Sequence, residues 1–311
     1  MFEHKSVLFE ESINALNIKP NGIYIDATGG GGGHSNGILS KLSDGLLITL
    51  DRDPDAVAVL NERLKGNVKI IQSNYSDIDI VLKDLNIDSV DGVLMDLGVS
   101  SYQIDTAERG FSFHNDAPLD MRMEKSGISA YDIVNTFSDE RLANIIYTYG
   151  EEKFSRKIAA NIVKKREEKP IETTLELVEI IRNSVPFAVK RDKNPAKKTF
   201  QALRIAVNSE FEHLEKGIEK AFESLKYDGI LAVITFHSLE DKIVKHKFLE
   251  YCVGCTCPKN FPICVCNRIP KAVLVNRKPI LPSSAELEQN SRAHSAKLRV
   301  LQKIKAFAVN E

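Results

Sequence analysis

Polar side chains that could bind a ligand recur directly after apolar stretches in the first hundred residues. They are Asp26, Asp51, Asn74, Tyr75 and Asp96. Five consecutive glycines in "YIDATGGGGGHS" lie between one such stretch and a helix-like segment. A turn without side chains lets a ligand approach the backbone, and a carboxylate ending the next strand can accept two hydrogen bonds from a ribose diol. The pattern predicts a nucleoside site.

The spacing of the glycines excludes two common nucleotide motifs. The dinucleotide fingerprint G-x-G-x-x-G fails in every register, because its last position falls on His34, Ser35 or Asn36. The phosphate loop G-x-x-x-x-G-K-[ST] fails because Ile38 stands in the place of the lysine. A nucleoside ligand without a pyrophosphate remains.

The elements that must position these residues alternate between strand and helix. The apolar pattern predicts a buried strand over residues 22–28 and a helix over 35–42. The alternation continues through "LLITLD", "PDAVAVLNERLK", "VKIIQS", "DIDIVLKDL" and "VDGVLMDLG". Such a pattern is typical of a parallel sheet with helices on both faces and ligands at the carboxyl ends of the strands. The polar residues above all fall at those ends.

The alternation stops after about residue 105, and residues 106–204 predict a helical insertion. Its amphipathic stretches lie at 138–149, 151–168 and 174–185. Thr173 and Glu176 form a capping box before the third stretch.

The strand pattern resumes in the last third of the chain. One long helix over about 199–226 is expected to lead into the strand "GILAVITFH" and the helix "SLEDKIVKHKFLEY", with "AKLRVLQKIKAF" as a last edge strand. We therefore predict a discontinuous α/β domain, 1–105 with 205–311, interrupted by the insertion.

Composition and charge place limits on location and partners. The apolar stretches of this 311-residue chain are too short to span a bilayer, and its amino terminus lacks the apolar region of a signal peptide. A cytoplasmic location without membrane association is expected. Residues 1–105 carry 8 Lys+Arg and 16 Asp+Glu, whereas 267–311 carry 9 and 3. This asymmetry suggests either a polyanionic partner or a solvated basic surface.

All five cysteines lie within "YCVGCTCPKNFPICVC". The two C-x-C pairs, at Cys255, Cys257, Cys264 and Cys266, could bind zinc, although structural zinc sites usually use C-x-x-C. A reduced loop without metal is the alternative. A disulfide knot does not suit a chain that lacks an export signal.

Eight motifs spread over the chain resemble one known family. They are "DATGGGGGHS", "DLGVSS", "ERGFSF", "LDMRM", "YGEEKFSRKIA", "FQALRIAVN", "ITFHSLEDKIVK" and "SRAHSAKLRV". Together they are similar to the bacterial 16S ribosomal RNA cytosine-amino methyltransferase family, known as RsmH or MraW. The resemblance implies a class I, Rossmann-like S-adenosylmethionine-dependent sheet with an inserted all-helical domain for substrate recognition. It also implies methylation of the N4 amine of one cytosine in the decoding region of small-subunit 16S RNA.

Carried over motif by motif, the resemblance implies a set of cofactor contacts. They are Gly32, Gly33, His34, Asp51, Tyr75, Asp96 and Gln103. The cofactor is S-adenosylmethionine, and the reaction needs no metal and no covalent intermediate. Neither the sequence nor the resemblance sets an oligomeric state, and a homodimer is compatible with both.

The catalytic candidates are Asp96, Ser101 and His237, each with a structural alternative. Asp96 could accept a hydrogen bond from the amine as its nitrogen pyramidalises, or only contact the cofactor. Ser101, with Ser100, could orient the amine or cap a turn. His237 could face the substrate or cap the helix that begins at Ser238.

The RNA-binding candidates carry similar alternatives. Arg109 and Phe111 could clamp a phosphate and stack a flipped base, although Phe111 could equally be core. Asp120 and Arg122 could form only a structural ion pair. Lysines and arginine in a basic run could contact RNA phosphates or form a solvated face. They are Lys190, Arg191, Lys193, Lys197 and Lys198.

Two rival functions remain open from the sequence. A methyltransferase acting on DNA or a small amine is one, but DNA cytosine-amino enzymes usually carry [SD]-P-P-[YF] where this chain has "DLGVSS". The other is an RNA-binding ribosome-assembly factor that holds the cofactor without turnover.

Overall fold

The computed structural model describes residues 6–187, 194–257, 261, 265–266 and 268–305. The chain divides into two compact units. The sheet unit comprises Met1–Gly98 and Phe211–Glu311, and the helical unit comprises Val99–Glu210.

The sheet unit contains seven strands in the order β3-β2-β1-β4-β5-β7-β6. The strands are β1 Ile23–Asp26, β2 Leu46–Asp51, β3 Val68–Gln72, β4 Val90–Asp96, β5 Leu225–Thr235, β6 Ala272–Leu274 and β7 Lys297–Lys303. The first five run parallel, and β7 runs antiparallel between β5 and β6. The carboxyl ends of β1 to β5 therefore meet at one edge of the sheet, and the predicted α/β fold class is confirmed.

Helices cover both faces of this sheet. In the sheet unit they are α1 Phe9–Ala15, α2 Gly33–Leu39, α3 Pro54–Arg63 and α4 Ile78–Asp84, and after the insertion α11 Glu210–Ser224, α12 Ser238–Cys252 and α13 Ser284–Gln289. Alternate strand residues divide between two buried clusters: Ile25 and Val93 pack in one, Tyr24 and Leu94 in the other. Apolar residues on both faces explain why the strands read as continuous apolar runs.

The helical unit packs around a separate apolar cluster that includes Leu142, Ile158, Leu177 and Leu203. Its helices are α5 Ser101–Asp105, α6 Ala130–Thr136, α7 Asp139–Gly150, α8 Ser155–Arg166, α9 Thr174–Ser184 and α10 Ala196–Asn208. The three amphipathic stretches match α7, α8 and α9, and Thr173 and Glu176 form the predicted capping box. The described residues of this unit contain no strand beyond an isolated bridge between Pro118 and Thr173.

Two details of the prediction were wrong. The single helix expected over 199–226 is two helices, because Ser209 adopts a left-handed conformation with φ 47° between α10 and α11. The Asn208 side chain explains the break in part, since it bonds the backbone of Met121 and Met123. The last strand in the chain, β7, is not an edge strand, because β6 pairs with its outer side. β6 has only three residues and is too short to recognise in the sequence.

The described residues include no helix with the length and apolar character that crossing a bilayer requires.

Candidate functional site

The glycine turn joins β1 to α2 and packs tightly against the protein on one side. A Cβ on Gly29 would lie 2.5 Å from Cγ2 of Thr49, and one on Gly33 would overlap Oγ of Ser6. Gly32 precedes α2 with φ 83°, a conformation that side chains disfavour. Packing favours glycine at position 29 and backbone conformation favours it at position 32, whereas a side chain at position 33 would have to displace the Ser6 hydroxyl.

Asp51 ends β2 and is held by the same turn. Its carboxylate accepts hydrogen bonds from the backbone N–H groups of Gly30, at 2.8 Å, and Asp53, at 2.9 Å. Burial raises the pKa of Asp51 to about 6 despite these bonds. Each oxygen keeps a lone pair beyond the bond it accepts, so the carboxylate can still receive a ribose diol.

Asp26 ends β1 underneath the turn and is fully buried. Oδ2 of Asp26 accepts a 2.6 Å bond from Ser35, which also lies 3.2 Å from the hydroxyl of Thr49. Burial raises the pKa of Asp26 to about 6, against the hydrogen bonds from Ser35 and Thr28. The carboxyl thus fastens the start of α2 to the sheet.

Asp96 ends β4, and one of its oxygens has no partner among the described residues. Its backbone N–H donates to Oγ1 of Thr28 at 2.6 Å, which ties the end of β4 to the end of β1. Oδ1 is buried and makes no hydrogen bond to any described residue. Burial first, and then the charges of Asp26 and Glu240, raise the pKa of Asp96 well above its usual value. The site therefore disfavours the ionised form of Asp96 relative to an exposed carboxyl.

His34 faces the other oxygen of Asp96. Its ring is buried against Phe9, and burial lowers the pKa of His34 to about 4, so the ring is neutral at pH 7. Nε2 lies 3.2 Å from the carbonyl of Val7, which can only accept, so Nε2 carries the proton. Nδ1 is then a bare acceptor 3.5 Å from Oδ2 of Asp96. His34 therefore faces Asp96 as a neutral acceptor and not as a cation.

His237 and Glu240 cap the start of α12 at the next strand end. Nδ1 of His237 accepts from the backbone N–H of Glu240, and Glu240 accepts from the N–H groups of Phe236 and His237. Nε2 of His237 lies 2.9 Å from Oε1 of Glu240, but at an angle that makes no hydrogen bond. The structure therefore supports the capping role of His237, and its catalytic role stays a prediction.

Asn74 and Tyr75 follow β3 at the same edge. The side-chain oxygen of Asn74 accepts from the N–H of Ser76, but Nδ2 is buried without a hydrogen-bond partner among the described residues. Tyr75 packs against the apolar cluster beside α4 and α11, where only a glycine at position 217 leaves room for its ring. The edge thus holds an unused donor at Asn74 and an unused acceptor at Asp96.

The remaining candidates belong to the helical unit. Ser100 and Gln103 form a capping box at α5, and Gln103 is buried. Ser101 is the first residue of α5. Lys197 and Lys198 are exposed on α10, and Nζ of Lys198 donates to the carbonyl of Glu151. Lys190, Arg191 and Lys193 lie outside the described residues.

The "ERGFSF" and "LDMRM" motifs form one connected segment of the helical unit. The guanidinium of Arg109 is buried and donates to the carbonyls of Arg122 and Met123 at 2.9 and 3.0 Å. Asp120 and Arg122 form a bidentate ion pair with bonds of 2.8 and 2.7 Å. Burial opposes ionisation of Asp120, but the bonds from Arg122 outweigh it and lower the pKa of Asp120. Phe111 packs partly against the helical core.

Sequence reasoning missed three residues around Asp96 and the turn: Thr28 and Ser35, which bond the strand ends, and Glu240, whose charge raises the pKa of Asp96. Two signals could have revealed Ser35 and Glu240. Thr49 is a polar residue inside the apolar strand "LLITLD", and buried polar groups require partners such as Ser35. Glu240 stands three residues after the helix cap, which is the capping-box spacing.

One known protein family matches nearly the whole chain. The family model described as the MraW methylase family matches residues 1–304. Two relatives from Clostridium botulinum, strains Kyoto and Loch Maree, are named ribosomal RNA small subunit methyltransferase H. Each is 56% identical over 307 residues, which cover 97% of this chain and 99% of the relative.

Solved structures similar to this chain include an rRNA methylase from Streptococcus thermophilus and a SAM-dependent O-methyltransferase from Thermotoga maritima. The first is 12% identical with a TM-score of 0.43 and covers 98% of this chain and 99% of its own. The second is 10% identical with a TM-score of 0.43 and covers 99% and 70%.

The family model spans nearly the whole chain, and the relatives are more than half identical to it over almost their full length. The chain therefore belongs to the MraW methylase family, and its methyl donor is S-adenosylmethionine.

Proposed function

We propose that this chain methylates the exocyclic N4 amine of a specific cytosine in the decoding region of 16S ribosomal RNA. The observation that carries the proposal is the buried Oδ1 of Asp96, which lacks a partner among the described residues. Leaving a buried acceptor unpaired costs about 1–3 kcal/mol. An amine N–H placed against Oδ1 would remove that cost. Relatives named as small-subunit RNA methyltransferases supply the substrate class.

The cofactor residues of the sheet unit fit a nucleoside. Asp51 would accept the ribose diol, and Nδ2 of Asn74, beside Tyr75, would serve as a donor on the base side. Gly32, Gly33 and His34 would shape the turn next to it, and Gln103 is proposed from the family motif. S-adenosylmethionine supplies a methyl group on a positively charged sulfur.

Asp96 is proposed as the catalytic carboxylate. A positive charge bound at this edge favours the ionised form of neighbouring acids, so cofactor binding opposes the raised pKa of Asp96. With the cofactor bound, the cytosine nitrogen would bond to the methyl carbon as the carbon–sulfur bond broke, and positive charge would develop on the nitrogen. Ionised Asp96 stabilises that charge through Oδ1 and accepts the proton that the nitrogen loses.

The helical unit is proposed to recognise the RNA. Lys197 and Lys198 are exposed cations that suit phosphate contacts. Arg109, Phe111, Asp120 and Arg122 would shape the segment that receives the base, with their internal bonds fixing its form. Ser101 and His237 remain candidates for orienting the amine.

The proposal is tested on small ribosomal subunits from cells that lack this protein. Subunits are incubated with labelled S-adenosylmethionine and either the wild-type protein or the Asp96→Asn variant, and the nucleosides are resolved by mass spectrometry. We expect label on the N4 of one decoding-region cytosine with the wild-type protein and far less with the variant.

Two outcomes would contradict the proposal. Label on another base atom, or on a cytosine outside the decoding region, would assign a different reaction. RNA binding and cofactor binding without any transfer would favour the alternative of an assembly factor that does not turn over.

A further inference from the structure

A cluster of cysteines lies outside the site described above, in the loop between α12 and β6. Three sulfurs, those of Cys255, Cys257 and Cys266, all lie within 4.8 Å of one another. The loop returns close to its starting point, because the backbone N–H of Lys271 donates to the carbonyl of Tyr251 at 2.8 Å. The cysteines therefore lie in a loop whose two ends are close together, and the proposed methyl transfer does not involve them.

The spacing of one sulfur pair is close to that expected around a tetrahedral metal, and all three sulfurs lie within 4.8 Å of one another. A zinc ion bound at about 2.3 Å from each thiolate in tetrahedral geometry sets the sulfurs about 3.8 Å apart. The sulfurs of Cys255 and Cys266 are 3.7 Å apart. A disulfide needs about 2.05 Å, so this pair is not covalently joined, and as thiols the two sulfurs form a hydrogen bond at a separation that zinc thiolates also adopt.

Backbone N–H groups also point at two of these sulfurs. Thr256 N lies 3.4 Å from Sγ of Cys266, and Val265 N lies 3.4 Å from Sγ of Cys257. Each bond joins one arm of the loop to a sulfur of the other arm. Outer hydrogen bonds of this kind orient metal ligands.

We propose that Cys255, Cys257 and Cys266 bind a structural Zn²⁺ ion that fixes the loop between α12 and β6. Thiolate ligands select zinc among the common divalent cations, whereas magnesium and calcium prefer oxygen. Three thiolates leave one of the four positions of zinc to a further donor; Cys264, the fourth cysteine of the predicted zinc site, lies outside the described residues. The ion links two arms of the loop that are about ten residues apart in the chain. We therefore expect zinc to make the conformation of this loop more ordered, with little effect on the rest of the protein.

Cys252 provides a matched control within the same region. It lies at the end of α12, is half-buried, and is not one of the three clustered residues. Burial raises the pKa of the Cys252 thiol, which disfavours a thiolate. The substitution Cys252→Ser removes a cysteine but leaves the proposed ligands in place.

The full-length chain is purified under reducing conditions without a metal-affinity tag, and its zinc content is measured by elemental analysis. We expect near-stoichiometric zinc in the wild type and in Cys252→Ser, and loss of zinc in the triple variant Cys255→Ser, Cys257→Ser, Cys266→Ser. X-ray absorption should show at least three sulfur neighbours at about 2.3 Å from the zinc.

A second measurement does not depend on the folding of the triple variant. Wild-type protein stripped of metal is titrated with Co²⁺, which should produce sulfur-to-metal charge-transfer bands and the visible bands of tetrahedral cobalt. Failure to retain zinc together with absence of these bands would overturn the proposal. So would a zinc content that the triple substitution leaves unchanged, or a coordination shell of nitrogen and oxygen only.

Discussion

The candidate residues of the sheet unit and those of the helical unit differ in how their polar groups are satisfied. At the sheet edge, Asp96 and Asn74 each leave a buried atom without a hydrogen bond to the described residues, and burial raises the pKa of Asp51 and Asp96. In the helical unit, Arg109 and the Asp120 ion pair are bonded internally.

This difference separates two kinds of polar residue. Buried atoms without a hydrogen bond, and carboxyl groups whose pKa is raised by burial, cost folding free energy. Such groups concentrate where a ligand supplies the missing partner. Internally bonded polar groups instead stabilise the fold of the segment that carries them. Substitutions at the sheet edge should therefore change chemistry and binding, whereas those at the buried groups of the helical unit should change stability.

The largest effect is expected for Asp96→Asn. The amide keeps the shape of the carboxyl but cannot ionise or take the proton of the amine, so kcat should fall by roughly a hundredfold to a thousandfold. The measurement is single-turnover methyl transfer to small subunits at saturating S-adenosylmethionine. Thermal unfolding should remain close to that of the wild type. A wild-type transfer rate would remove Asp96 from the catalytic role.

Asp51→Ala should weaken cofactor binding. Each of the two charge-assisted bonds to the ribose contributes about 1.5–3 kcal/mol, so losing both lowers affinity by roughly a hundredfold or more. Calorimetric titration with S-adenosylhomocysteine measures the change. The substitution Asp55→Ala, in the first turn of α3, serves as the control with unchanged affinity. Equal affinity for the Asp51 variant and the wild type would exclude the ribose contact.

Arg109→Met should destabilise the protein. The substitution leaves the carbonyls of Arg122 and Met123 without their donors, and each unsatisfied buried group costs about 1–3 kcal/mol. Urea unfolding should show a clear loss of free energy. Arg122→Met is the control, because loss of its more exposed ion pair should cost only about 1 kcal/mol or less. An unaltered unfolding midpoint for Arg109→Met, with weaker RNA binding, would assign Arg109 to the RNA instead.

Cofactor affinity should fall as the pH drops through about 6. The raised pKa of Asp51 means that its neutral form is populated below this value, and a neutral carboxyl loses the charge that strengthens its bonds to the ribose. Affinity for S-adenosylhomocysteine should then decline by at most about tenfold per pH unit. In Asp51→Asn the slope should flatten. An identical slope in that variant would trace the dependence to another group, such as Asp26, whose pKa is also raised to about 6.

The smallest effect is expected from the exposed lysines of α10. The double variant Lys197→Glu, Lys198→Glu should weaken binding to small-subunit RNA and make that binding less dependent on salt, by about one unit of slope for each phosphate that is no longer neutralised. Cofactor affinity should not change. Lys41→Glu with Lys65→Glu, both exposed in the sheet unit, controls for net charge. If both double variants bound RNA with the same salt dependence, Lys197 and Lys198 would be part of a solvated surface that does not contact the RNA.

The order of residues along the chain is enough to predict the sheet and most of the residues at its edge. Strand ends are visible in a sequence because apolar runs stop there, so the pattern alone places Asp26, Asp51, Asn74 and Asp96 on one edge. Helix caps are equally local, and the spacing of Thr173 and Glu176 is sufficient to predict their capping box, which the structure contains.

What these groups do to one another depends on the folded chain. The raised pKa of Asp96 arises from burial and from Asp26 and Glu240, which are distant in sequence, and the neutral state of His34 depends on the enclosure of its ring. Likewise, Ser209 breaks a helix that the apolar pattern would continue, and β7 gains a partner that makes it internal. Burial and long-range contacts set these properties because desolvation and electrostatic coupling depend on distance in space, which residue spacing along the chain does not encode.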